Sequence, residues 1–388
     1  MPPLGGAARS AWGAPLNSPA LVDWTPALRL ALLALVIALL PLSWLWLRQR
    51  GADTRARLAA LAAVTLFLTF DLVVFGAFTR LSDSGLGCPD WPGCYGAASP
   101  QGAHAEINAA QTATPGGPVS WNKAWIEMIH RYLAMTVGVL ILVMAAGSWR
   151  VRRALPFSPW WPTLTLAWVV VQGLFGRYTV TLKLYPLVVT LHLLGGMFLL
   201  AMLAAQHEAF RQRAVALPAA LRRGAIITLV LLTLQIALGG WVSSNYAVLA
   251  CSEFPQCRGA WWPAADFAAG FTLLRGLGEG ITLDALVAIH LAHRVFAAVA
   301  AAAVAWLAWR LWRSGAEPAR RFGLSLGMLL LAQLVSGLSN VVLGWPLVAA
   351  LAHTAGAAAL VLTLTLLLAR GTAPSPATAA RPAAVAAA

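Results

Sequence analysis

Charge is what this chain of 388 residues has least of: only 10% are Asp, Glu, Lys or Arg. A soluble domain carries about 25%, so an ordinary water-soluble enzyme is excluded. Cysteine is scarce as well, four residues in all, and no pterin, flavin or copper signature is present. What the chain has instead is apolar length. Sixty per cent of it is hydrophobic, in runs of about 20 residues rather than the short alternating segments of a globular core. Those runs place it among all-α polytopic membrane proteins. The formal net charge is +14, which in a soluble protein would suggest nucleic acid as a partner. Here the charges sort by membrane side, and that partner is excluded.

Nine spans are expected, at 27–48, 58–79, 124–148, 159–180, 186–206, 224–245, 284–312, 322–343 and 347–369. A run of 22 residues at 1.5 Å rise covers about 33 Å, enough for the hydrocarbon core. The first span lacks a preceding basic stretch and a convincing cleavage site, so it reads as an anchor rather than a signal peptide. Seventeen of the 27 basic residues and three of the 13 acids fall in the loops near 48–57, 149–155, 207–223 and 310–321 and in the tail. The whole excess of positive charge therefore lies on one face, which the positive-inside rule makes cytoplasmic. The long loops at 80–123 and 246–283 then face the periplasm of a bacterium. The two ends are rich in Ala, Gly and Pro and read as disordered.

An internal repeat organises the rest. Gly76, Cys88, Pro92, Cys94 and His130-Arg131 recur at one constant offset as Gly239, Cys251, Pro255, Cys257 and His293-Arg294. Gln172, Gly176 and His192 recur at a second, nearly equal offset as Gln333, Gly337 and His353. Each copy holds four spans, an even number, so both insert the same way up. The expected fold is two pseudo-symmetric parallel four-helix bundles plus one extra N-terminal transmembrane helix. The boundaries are a disordered N-terminus (1–26), the extra helix and a cytoplasmic loop (27–57), a first bundle (58–206), a cytoplasmic linker (207–223), a second bundle (224–369) and a disordered tail (370–388).

His130, His192, His293 and His353 sit at matched depth, about 7–15 Å in from the periplasmic end. A lone intramembrane histidine is most often a hydrogen-bonded packing residue. Four of them, two per bundle, point to function, because ionisable groups are costly in lipid. Two imidazoles facing across a four-helix bundle suit the axial positions of a heme iron and are too few for a structural zinc site. The small residues Gly195-Gly196 and Gly356 would let a flat macrocycle approach the backbone. Arg131 and Arg294 follow a histidine directly and reach either heme propionates or the interface by snorkelling. The copies differ at one position: Glu127 in the first corresponds to His290 in the second. Glu127 lies one turn from His130 on the same face. It is a candidate for proton handling or substrate positioning, the plainer alternative being a carboxylate solvated at the interface.

The run Gly76-Ala77-Phe78-Thr79-Arg80-Leu81, then Ser84-Gly85-Leu86-Gly87-Cys88-Pro89-Asp90-Trp91-Pro92-Gly93-Cys94-Tyr95-Gly96, resembles the heme A synthase family. So do Glu127-Met128-Ile129-His130-Arg131, Thr190-Leu191-His192-Leu193-Leu194-Gly195-Gly196 and His293-Arg294. The resemblance spans about residues 58–369. It implies that substrate heme O docks in the first bundle beside His130 and His192, with Glu127 as the essential carboxylate. It also implies a heme b cofactor held by His293 and His353 in the second. The implied reaction oxidises a heme O methyl group to a formyl group, giving heme A for cytochrome oxidase. Two successive hydroxylations draw oxygen from water, and the geminal diol then loses water. An external acceptor, a quinone or a thiol partner, takes the four electrons, and the enzyme that farnesylates heme is a candidate neighbour. The extra span 27–48 lies outside the family pattern, and His290 competes with His293 as ligand.

Both long loops carry Cys-x5-Cys, read as disulfides Cys88–Cys94 and Cys251–Cys257 in an oxidising compartment. They are either structural braces or, for Cys88–Cys94, an electron-exchanging pair. Asp71 sits mid-span, where a charge costs about 3 kcal/mol, and either pairs across the bundle or is protonated. Arg177 either steers a propionate or snorkels. Among other functions, a diheme quinone-linked electron carrier would leave Glu127 unused, a transporter would want broken helices, and a thiol oxidase would leave the four histidines unexplained.

Overall fold

The computed structural model describes residues 25–276, 279–315 and 317–372. Eleven α-helices appear among them: α1 (Thr25–Arg48), α2 (Thr54–Leu81), α3 (His104–Ala113), α4 (Trp121–Arg150), α5 (Trp160–Thr181), α6 (Pro186–Arg211), α7 (Ala219–Ser244), α8 (Phe267–Gly270), α9 (Leu283–Trp312), α10 (Glu317–Val342) and α11 (Leu347–Arg370). Nine are long and fall on the nine predicted spans. Eight of the nine, all but α5, are long and apolar enough to cross a membrane. Of the ends expected to be disordered, 1–26 and 370–388, residues 1–24 and 373–388 lie outside the described residues, whereas Thr25 and Pro26 open α1 and Arg370 closes α11.

The helices overrun their apolar cores. α2 begins at Thr54 and α7 at Ala219, several residues before the spans predicted at 58 and 224. An apolar run marks only the stretch that needs lipid, whereas the helix continues until a cap stops it. Asp53 accepts the Ala56 N–H at 2.6 Å, Ser120 accepts that of Lys123 at 3.4 Å, and Thr282 that of Ala285 at 3.3 Å; each satisfies an orphan donor of the first turn. Inside the apolar stretches, Thr65, Thr69 and Thr136 return their hydroxyls to the carbonyl four residues back.

α2, α4, α5 and α6 adjoin one another in a closed circuit, as do α7, α9, α10 and α11; α6 and α11 join the two sets, and α1 lies against α4 and α2. α1 shows what the outer surface is built for. It buries one stripe, Leu30, Ala34, Ala38 and Leu45, and exposes Leu32, Val36, Leu39, Leu40 and Trp44. Such an outer face is at home only in hydrocarbon. Leu30 packs into a cluster with Cys88, Cys94, Ile107, Ala124 and Met128, so the helix outside the repeat braces the first cysteine loop from below.

At the arginine-rich end, Val215–Ala216 (β1) pairs in parallel with Gly371–Thr372 (β2). These last two residues were expected in the disordered tail; the ladder and the bond from Leu217 N–H to the Thr372 carbonyl at 2.9 Å hold them instead. Beside them Glu208, its side chain 1% exposed, accepts from Arg213 and from Arg370.

Candidate functional site

Each of the four histidines lies against a glycine of the helix beside it. A β-carbon placed on Gly76 of α2 would stand 3.0 Å from His130 Nε2, and one on Gly176 of α5 would stand 3.6 Å from His192 Cε1. In the second copy, Gly239 of α7 would meet His293 Cε1 at 3.2 Å, and Gly337 of α10 would meet His353 Cε1 at 3.1 Å. The repeat in the sequence is thus a repeat of one packing device, a helix surface left bare so that an imidazole can lie on it. His130 and His192 lie on α4 and α6 of one circuit, and His293 and His353 on α9 and α11 of the other.

The neighbours of the rings differ between the copies. His130 stacks on Phe75, with centroids 6.4 Å apart and planes 10° from parallel, and His192 Nδ1 is buried with no hydrogen-bond partner. In the second copy Gln235 Nε2 approaches His293 Nδ1 and Nε2 at 3.1 and 3.3 Å, and Ser336 Oγ lies 3.0 Å from His353 Nδ1. The glycines after the ligands are filled rather than open: the Gln172 amide lies over Gly195 and that of Gln333 over Gly356. A flat group reaching this surface meets glutamine amides, not bare backbone.

Glu127, 4% exposed, is bound through both oxygens. Oε2 accepts the Cys88 N–H at 2.8 Å and Oε1 accepts from Arg131. Arg131 also donates to the carbonyls of Asp90, at 2.9 Å, Pro92, at 3.2 Å, and Gly93. A carboxylate solvated at the interface is thereby excluded. Carboxylate and guanidinium together latch the cysteine loop onto α4. In the second copy His290 takes the Glu127 place, 3% exposed, its Nδ1 3.0 Å from the Ala247 carbonyl. Arg294 there reaches the loop by itself, donating to Gln256 at 3.1 Å and Cys251 at 3.0 Å. The i, i+4 spacing of Glu127 and Arg131 was the signal in the sequence for this ion pair; nothing there pointed to the loop carbonyls or to Ser336 and Gln235.

Both disulfides are formed, Cys88–Cys94 and Cys251–Cys257. The two loops fold alike. Cys94 exchanges backbone hydrogen bonds with Ala97, and Cys257 with Ala260. Asp90 accepts the Gly96 N–H at 2.7 Å, and Glu253, its equivalent in the repeat, accepts that of Gly259 at 3.1 Å. The Trp91–Pro92 and Phe254–Pro255 bonds are both cis. The Arg177 guanidinium lies over the Trp91 ring, 6.0 Å from its centroid. Asp71 lies on the exposed face of α2, with no hydrogen bond or ion pair among the described residues.

Chemically, the donor set is two pairs of half-buried imidazoles. No group of three His, Cys, Asp or Glu side chains able to hold a metal ion occurs among the described residues. Paired imidazoles, one with an unpartnered Nδ1, fit an iron whose equatorial ligands come from a macrocycle and whose protein ligands number two.

Comparison with known proteins agrees with this chemistry. The family model COX15-CtaA, described as cytochrome oxidase assembly protein, matches residues 59–365; α1 precedes the match. The heme A synthase of Shewanella oneidensis is 39% identical over 315 residues, 79% of this chain and 94% of that protein. That of Methylobacterium sp. (strain 4-46) is 30% identical over 350 residues, 81% of this chain and 92% of its own. A third, from Beijerinckia indica, is 28% identical over 330 residues, 79% of this chain and 90% of its own.

Proposed function

The chain belongs to the COX15-CtaA family of cytochrome oxidase assembly proteins, and on that premise we propose that it is a heme A synthase. It oxidises a methyl group of heme O to a formyl group. The balance is R–CH3 + H2O → R–CHO + 4 H+ + 4 e−, with oxygen from water and the electrons leaving to an external acceptor, a quinone or a thiol partner. The supporting observation is the two histidines of each copy, each ring on a glycine, together with a carboxylate one turn from His130 where the second copy has His290.

In this reading the two circuits of helices are pseudo-symmetric four-helix bundles inserted the same way up, with α1 an added span. The cysteine loops face the periplasm and the arginine-rich ends the cytoplasm of a bacterial inner membrane. His130 and His192 flank substrate heme O, which arrives from the enzyme that farnesylates heme. His293 and His353 hold heme b, the choice of His293 over His290 resting on its match to His130 in the repeat. Bound there, heme b supplies a one-electron relay toward the acceptor.

The chain's own residues do the rest. The glycines let the rings lie flat against their neighbours and set their depth. The Cys88–Cys94 loop, latched by Glu127 and Arg131, covers the first pair and keeps bulk water from it. Glu127, one turn from His130, is the carboxylate nearest the first pair in sequence, and in this reading it takes protons as the methyl carbon loses hydrogen. Arg131 spends its donors on the loop and acts on substrate through the lid's position.

The test is pigment extraction after expression with a heme O source. Heme carrying a formyl side chain is expected. A folded protein with low-spin heme that yields only unmodified porphyrins would instead make the chain a diheme electron carrier, a reading that the curated heme A synthases do not favour.

A further inference from the structure

One pair of equivalent atoms is treated differently in the two copies. His353 Nδ1 lies 3.0 Å from the Ser336 hydroxyl, whereas His192 Nδ1, its counterpart in the first copy, is buried and unpartnered. The residue at the Ser336 position of the first copy is Phe175, which has nothing to offer a ring nitrogen.

The direction of the serine bond follows from a count of protons. A hydroxyl has one hydrogen to donate. Ser336 Oγ stands 2.8 Å from the Ala332 carbonyl and 3.3 Å from that of Gln333, and neither carbonyl can donate. With the hydrogen given to the Ala332 carbonyl, the shortest of these contacts, a lone pair faces His353. That requires Nδ1 of His353 to carry the ring's hydrogen, which leaves Nε2 with its lone pair free.

We propose that Ser336 is a positioning residue. It fixes His353 with Nδ1–H donated and Nε2 presented to a heme iron, while Phe175 withholds the same support from His192. The second pair accordingly retains its porphyrin and the first pair exchanges its own. This rests on the reading that both pairs receive hemes. An enzyme that takes in heme O and gives up heme A has to release at one site and hold at the other. Hydrogen-bond partners behind a ligating histidine are typically worth about 10–100-fold in metal affinity, enough to divide the two roles without changing a ligand.

The experiment uses the purified full-length protein in detergent, as wild type, Ser336→Ala and Ser336→Thr. Two quantities are measured: the rate at which low-spin heme is lost to excess apomyoglobin, and the midpoint potential of the heme that remains. Ser336→Ala is expected to lose heme about tenfold faster and to titrate at a higher potential, since an imidazole without its Nδ1–H acceptor donates less to ferric iron. Ser336→Thr, which keeps the hydroxyl, is expected to match wild type. A loss rate and potential unchanged in Ser336→Ala overturn the inference. Wild-type protein without any low-spin heme would sink the reading beneath it instead, so the two failures are distinguishable. If Ser336→Ala does not fold, Ser336→Cys, whose sulfur is a weaker acceptor, gives the same comparison with a smaller expected change, and equality with wild type again overturns it.

Discussion

Arg80 donates from Nη2 to the Ser243 carbonyl at 2.7 Å, and the two positions are each other's equivalents in the internal repeat, 163 residues apart. The same offset separates Asp83 from Tyr246, whose hydroxyl donates to Oδ1 at 2.9 Å. Arg80 also lies over the Tyr246 ring, 4.2 Å from its centroid. A residue touches its own counterpart only where the two copies meet face to face. Arg80→Leu removes an ionic hydrogen bond and a cation–π contact at that meeting point. It is expected to cost about 2 kcal/mol, measured as a lower melting temperature in detergent, with the pigment of folded protein unchanged.

Glu127 and Arg131 are both buried, with side chains 5% and 9% exposed. Removing one member of such a pair strands the other's charge, at a cost of about 3–5 kcal/mol. Glu127→Gln and Arg131→Gln should each destabilise the protein by that order, and the double variant by clearly less than their sum. Thermal denaturation of all four proteins closes the cycle. Additive losses would mean that the two side chains do not act as a pair.

The glycines under the histidines are unequal, and that gives a graded test. Gly76→Ala puts a methyl group 3.0 Å from His130 Nε2, closer than carbon and nitrogen ordinarily pack, whereas Gly176→Ala meets His192 at 3.6 Å, an ordinary contact. Displacing a reacting geometry by about 1 Å can cost about 100-fold. Gly76→Ala is expected to lower heme A production at least tenfold, about 1.4 kcal/mol in barrier, while Gly176→Ala remains near wild type. Heme A per milligram of protein, by pigment extraction, reports both.

Cys88 and Cys94 are fully buried, in a cluster with Leu30 of α1 and Met128 of α4. A reductant in solution should therefore open this bond slowly in native protein and rapidly after denaturation, which thiol alkylation with mass spectrometry will show. Replacing both with serine removes a short-loop constraint worth about 2.4 kcal/mol, expected as a matching fall in unfolding free energy. Rapid alkylation of the native protein would contradict the burial on which this rests.

How much of this was legible beforehand depended on range. The helices were readable because apolar runs must match the thickness of lipid, and the histidine pairs because a fixed offset carried them into register. The disulfides followed from spacing and compartment. What was not legible is contact between side chains far apart in sequence. The Ser336 hydroxyl on His353, the Gln172 amide filling Gly195 and the Arg131 fork on three loop carbonyls all depend on helix rotation, which the sequence leaves undetermined by a few tens of degrees. Helix ends were missed for a related reason: hydropathy locates the lipid, whereas caps such as Asp53 end the helix.

Glu208 has a further consequence. Its buried carboxylate sits between Arg213, made moments after it, and Arg370, which the ribosome delivers 162 residues later. Gly371 and Thr372, the partners of Val215 and Ala216, follow Arg370 directly. Throughout the synthesis of the second half, the first half therefore waits with an acid and a strand edge half-satisfied. A nascent chain stalled before Arg370 should be more open to proteolysis around residues 208–217 than the finished protein, because the last turn of the last helix closes a gap left open since the middle of translation.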